Sequence, residues 1–201
     1  MPTYVCGDSH VGMFKGDPRF RVYDLGPATA HNYINPCSAS RSCVGLQNVV
    51  SLMVQGDTLI ICAGEIDCRR HLLNAAVESC VPVDRAIGIT VHRFMEALDK
   101  LNHHGREIQI VVCGIPPPGF QANELHLPNF PTPQQHAEIY REFHLQMQAA
   151  CVLNGHGYID LYTPTVGKDG HMREEFTIEK DRVHLNKRAL EFVALDVKAP
   201  C

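Results

Sequence analysis

Two short apolar runs decide what this chain can become. Thr58 to Ala63 (TLIICA) and Ile108 to Cys113 (IQIVVC) are almost solidly hydrophobic, without the polar-apolar alternation of a half-solvated strand. Strands of that kind are covered on both faces, as in a parallel sheet built from βαβ units. The cover must come from helices, and the sequence supplies them. From Val83 to Leu101, residues Ile87, Val91, Phe94, Met95, Leu98 and Leu101 follow a 3.6-residue period and predict an amphipathic helix. It ends at His103-His104-Gly105. Thr132-Pro133-Gln134-Gln135 is a capping box with proline at the first helical position. The helix it starts would carry Tyr140, Phe143, Met147, Ala150 and Cys151 on one face and stop at Asn154-Gly155. Shorter signals predict strands at Thr3 to Cys6, Arg21 to Gly26 and Tyr158 to Tyr162, and helices at Gly45 to Met53 and Asn186 to about Val197. The alternation predicts an α/β fold, a three-layer α/β/α sandwich, as one domain over residues 1–201.

Composition removes several classes of function. A formal charge of −4 does not suit a protein that tracks nucleic-acid phosphates. No apolar run approaches the roughly 18 residues needed to cross a bilayer, and MPTYVCGD has neither a basic leader nor an apolar h-region. The nine cysteines form no CxxC pair and no zinc spacing, and Cys6, Cys62 and Cys113 each end an apolar run. They read as buried free thiols of a cytoplasmic protein. No P-loop and no GxGxxG follows a strand, so no nucleotide cofactor and no metal is expected.

Chemistry in a parallel sheet gathers beyond the carboxyl ends of the strands. Polar segments fall there at Gly7-Asp8-Ser9-His10, Gly26-Pro27-Ala28-Thr29 and Gly64-Glu65-Ile66-Asp67-Cys68-Arg69. A fourth, Asp181-Arg182-Val183-His184-Leu185, precedes the last helix. Alone, its Asp and His three apart read as an N-cap acid and a surface histidine. Beside a serine they read differently. Asp181 could hold the Nδ1 proton of His184, leaving Nε2 to take a proton from Ser9. Asp8 reads as a loop brace, and His10 as a side chain pointing elsewhere.

The four segments, in this order from Gly7 to Leu185, resemble the SGNH (GDSL-type) serine hydrolases. GDSH and DRVHLN carry the resemblance most specifically. It implies a flavodoxin-like fold with a five-stranded parallel sheet and a triad of Ser9 as nucleophile, His184 as general base and acid, and Asp181 as its orienting acid. It also implies an oxyanion hole from the Ser9 and Gly26 amides, with the third block led by Gly64. The family's oxyanion asparagine is replaced here by Ile66, which has no side-chain donor. Arg69 either substitutes for it or braces the loop against Glu65 or Asp67; Glu65, Asp67 and Arg69 are the candidate substrate-binding set. The implied activity is hydrolysis of small acyl esters through an acyl-enzyme. Acyl transfer or deacetylation on a sugar, and non-catalytic binding on the same scaffold, are the alternatives.

Overall fold

The computed structural model describes residues 2–102, 107–119, 130–179 and 181–193. Five strands form one all-parallel sheet: β1 (Thr3–Gly7), β2 (Phe20–Asp24), β3 (Thr58–Cys62), β4 (Gln109–Cys113) and β5 (Gly157–Ile159), in the order β2-β1-β3-β4-β5. The register aligns Gly7 with Asp24 on one side and with Cys62 on the other, and Cys62 with Cys113. The carboxyl ends therefore finish in one row.

Side chains of a strand alternate between faces, and the core divides accordingly. Tyr4, Cys6, Leu59, Ile61, Ile110 and Val112 pack under α1 (Ser42–Ser51), α2 (Leu72–Glu78), α3 (Val83–Asn102) and α4 (Pro133–Leu153). Val5, Ile60, Cys62, Val111 and Cys113 face the other way, against Val11, Phe14, Phe176, Leu185 and Ala189. That second cover consists of short 3-10 turns, Ser9–Phe14, Glu174–Phe176 and Lys187–Phe192, joined by loops. The sandwich has three layers, and one of them is thin.

The predicted long helices hold, and the capping box is complete: Thr132 accepts from the Gln135 amide and the Gln135 side chain accepts from the Thr132 amide. Other boundaries move. The strand predicted over Tyr158 to Tyr162 stops at Ile159, because Asp160 Oδ1 accepts from the Thr163 amide at 2.9 Å and starts the short helix α5 (Tyr162–Thr165). The last helix is a 3-10 turn capped by Asn186; residues 194–197 of the prediction lie outside the described residues. So do His103-His104-Gly105 and most of the Pro-rich loop. A helix absent from the sequence reading, α2, follows β3 through a π-helical turn at Asp67–His71.

Candidate active site

The site begins where β1 ends. Gly7 has φ +150°, and a Cβ there would meet the Cys62 carbonyl oxygen at 2.0 Å, so only glycine lets the two backbones come this close. Asp8 then caps the following turn, its Oδ1 accepting from the His10 amide at 2.9 Å. Ser9 is the first residue of that 3-10 turn and is exposed at the carboxyl end of the sheet. Its own N–H is one of the turn's unpaired N-terminal donors and has no partner among the described residues.

The partner loop arrives from the other end of the chain. Asn186 Nδ2 donates to the Glu175 and Thr177 carbonyls at 2.8 and 2.9 Å, and Thr177 pairs with Leu185 across an isolated bridge. Between these anchors Asp181 folds back. Its Oδ1 accepts from the Val183 and His184 amides at 3.0 and 3.1 Å, while Oδ2 accepts from His184 Nδ1 at 2.8 Å. The Asp-x-x-His spacing is thus a local turn closed by the carboxylate. Partial burial pushes the Asp181 carboxyl up, but the two amides and His184 outweigh it and hold it below the usual range. With Nδ1–H committed to Asp181, Nε2 accepts from Ser9 Oγ at 2.7 Å. Two residues 175 positions apart in sequence meet at hydrogen-bond distance.

The third segment is placed otherwise than the sequence suggested. Glu65 and Asp67 are 3% and 1% exposed, and both carboxylates are engaged within the protein. Arg69 grips Glu65 with two bonds, Nε to Oε1 at 2.7 Å and Nη2 to Oε2 at 3.2 Å, and Tyr140 donates to Oε1 at 2.8 Å. Burial alone would raise the Glu65 carboxyl, yet His10, Arg69 and Tyr140 together bring it below its ordinary value. Of the two roles open to Arg69, the geometry contains the brace. Asp67 accepts from the Ala30 amide at 2.7 Å and the His31 amide at 3.2 Å, so it pins the loop after β2. Burial pushes its carboxyl up to about 7 despite those amides.

Gly26 also differs. Its N–H donates to Asp24 Oδ1 at 3.1 Å, so the amide expected to face an oxyanion is already occupied. Gly64, at φ +112°, lies against the Phe143 ring, where a Cβ would come within 2.5 Å. That glycine lets α4 pack onto the third segment. Sequence reasoning placed His10 outside the site; the structure buries it at 8% exposure beside His184. Its signal was the unbroken Asp8-Ser9-His10 run, in which a side chain two residues from a buried acid can turn back onto it. Among the described residues no His, Cys, Asp and Glu set is arranged to hold a metal ion, and no helix is long and apolar enough to cross a membrane.

No protein-family profile matches the chain, and no curated protein matches it in sequence. Solved structures do match. A protein from Slackia heliotrinireducens assigned as an SGNH hydrolase superposes with a TM-score of 0.55 at 14% identity, over 96% of this chain and 94% of its own. A GDSL-like lipase from Bacteroides thetaiotaomicron gives 0.55 at 14% identity, over 95% and 82%. The acetyl xylan esterase AlAXEase gives 0.53 at 14%, over 95% of both chains. At these identities the likeness is one of fold, and the fold is that of the SGNH hydrolases.

Proposed function

We propose that this protein hydrolyses carboxylic esters through an acyl-enzyme on Ser9. One observation carries the reading: Ser9 Oγ, His184 and Asp181 form an unbroken hydrogen-bonded line, 2.7 and 2.8 Å long in its two links, with the serine at the surface. Ser9 Oγ attacks the ester carbonyl carbon as its proton passes to His184 Nε2. Asp181 stabilises the imidazolium that results. The Ser9 N–H donates to the oxyanion of the tetrahedral intermediate. Collapse of that intermediate breaks the carbon–oxygen bond to the leaving alcohol, which takes the proton from His184. Water then attacks the acyl-enzyme with His184 as base, and the acid leaves. Since Ile66 offers no side-chain donor and Gly26 is engaged, slow turnover is expected: a missing oxyanion donor costs about 10²–10³ in rate.

Small acyl esters are the substrate class of this reading. Acylated sugars are the second class, supported by the exposed serine and by the fold shared with an acetyl xylan esterase over 95% of both chains. The assembled triad speaks against a purely binding role. Intact mass after incubation with a fluorophosphonate tests the proposal. One adduct is expected on wild type and none on Ser9→Ala or His184→Ala. A folded wild type that takes no adduct and cleaves neither p-nitrophenyl acetate nor acetylated xylan would overturn it.

A further inference from the structure

His10 is placed where it can act on the general base. Its ring lies 4.8 Å from the His184 ring, centroid to centroid, and is tilted by 37°. Nδ1 is 3.1 Å from Asp8 Oδ1, and Nε2 is 3.4 Å from the carbonyl oxygen of Val183, the residue before His184. Both nitrogens face groups that only accept. A neutral imidazole donates from one nitrogen only, whereas a ring protonated on both satisfies the Asp8 and Val183 contacts together. Asp8 is 1% exposed, and among the described residues its Oδ1 is bonded only by His10 and its Oδ2 has no partner. A buried carboxylate in that position needs the cation.

We propose that His10 is a positioning residue for His184: as an imidazolium it ties Val183, and with it the Asp181–His184 turn, to the end of β1, and it sets a fixed positive charge against the base. The kinetic part rests on the ester-hydrolase reading. Among the described residues, the charged and titratable groups around His10 are Asp8 on its own turn, Glu65 across a small pocket with Arg69 and Tyr140 behind it, the Cys62 and Cys113 thiols on the pocket wall, and His184 with Asp181. Burial would lower the His10 pKa; Asp8, Glu65 and the Val183 carbonyl outweigh it and raise it to about 9. A cation held against the base disfavours a second positive charge beside it.

The test is an imidazole 15N NMR titration of the full chain, as wild type and as His10→Gln, with His184→Ala for assignment. At pH 7 the wild-type His10 should show both nitrogens protonated. In His10→Gln the His184 midpoint should rise by about half a pH unit or more. The acid limb of kcat/KM for p-nitrophenyl acetate should move up by the same amount, with KM changed less than about threefold. A neutral-ring pattern for wild-type His10 overturns the inference, and so does a His184 midpoint that stays or falls. Wild type alone decides the first point if His10→Gln does not fold. A wild type inert to ester and fluorophosphonate would remove the ester reading, while the titration still decides on His10.

Discussion

Two clusters of charge sit side by side along the carboxyl edge of the sheet, and they are built oppositely. In the first, Ser9 is exposed and the side chains of His184 and Asp181 are 28% and 41% accessible. In the second, the side chains of Glu65 and Arg69 are 4% and 15% accessible, and Asp67 is sealed. Each cluster pairs a carboxylate with a basic side chain beside the end of a hydrophobic strand, the first with a loop from far along the chain. Water separates them. A group that must meet a substrate keeps solvent access and is aimed by one or two short bonds. A group that shapes the backbone is withdrawn from water with all its bonds already made. The buried cluster holds the loop after β2 and seats α4, so that the open cluster has a rigid edge to work from.

If that division is real, the open cluster governs rate and the buried one governs stability. The largest effect should come from Ser9→Ala or His184→Ala. Either should lower ester turnover by about 10⁴-fold or more, the double variant should lose hardly more than one of them, and the melting temperature should hardly move. Asp181→Asn should come next, at roughly 10²–10⁴ in kcat, since His184 loses the acceptor that fixes its tautomer.

Stability should then respond to pH through the buried side. The His10 pKa lies above its unfolded value near 6.5, at about 9, so its contribution is complete below pH 6.5 and is lost as pH rises through 9. That shift corresponds to roughly 3 kcal/mol, read as a falling urea midpoint between pH 6.5 and 9 and absent from His10→Gln. Asp67 acts in the same direction at lower pH: its folded value is raised to about 7, so its contribution declines from about pH 4 to 7. Asp67→Ala should cost about 2 kcal/mol, because the buried Ala30 amide and the His31 amide lose their acceptor. Its kcat should stay within a few-fold while the protein is folded; a 10³-fold loss there would erase the distinction between the clusters. Smallest is Thr132→Ala, far from both, at about 1 kcal/mol of stability and no change in rate.

Much of this was legible in the chain. Strands buried on both faces announce themselves as unbroken apolar runs, and α3 and α4 carry clear periods and, for α4, a full capping box. The Ser9 position was legible because its segment ends a strand, and the Asp181–His184 pairing because the Asp-x-x-His spacing fits one carboxylate-closed turn. The roles of Glu65, Asp67 and Arg69 were not, since nothing local to β3 reveals that Tyr140 and the Ala30 and His31 amides would arrive to satisfy them. The Gly26 amide was not legible for a similar reason: its partner is Asp24, two residues back, in a turn whose direction depends on tertiary packing. His10 shows the same limit, as its second partner is 173 residues away. Period and capping are properties of neighbours in sequence, whereas satisfaction of a buried charge is a property of the assembled fold.

Every cysteine among the described residues is a free thiol, and they divide as sharply as the two clusters do. Cys37 and Cys80 are exposed, while Cys6, Cys62 and Cys113 are on the central strands. Burial pushes the Cys6 thiol up to about 12, and Cys62 is raised by its neighbour Cys113 as well as by burial. Alkylation needs thiolate and access, and the native sheet denies both. Among the described residues two sulfurs, those of Cys37 and Cys80, are open to a maleimide dye in the folded protein, and those of β1, β3 and β4 become available only when the strands part. The chain therefore carries an internal clock: the rate at which its strand thiols are consumed, followed by mass spectrometry, times the opening of the sheet without any label having been introduced.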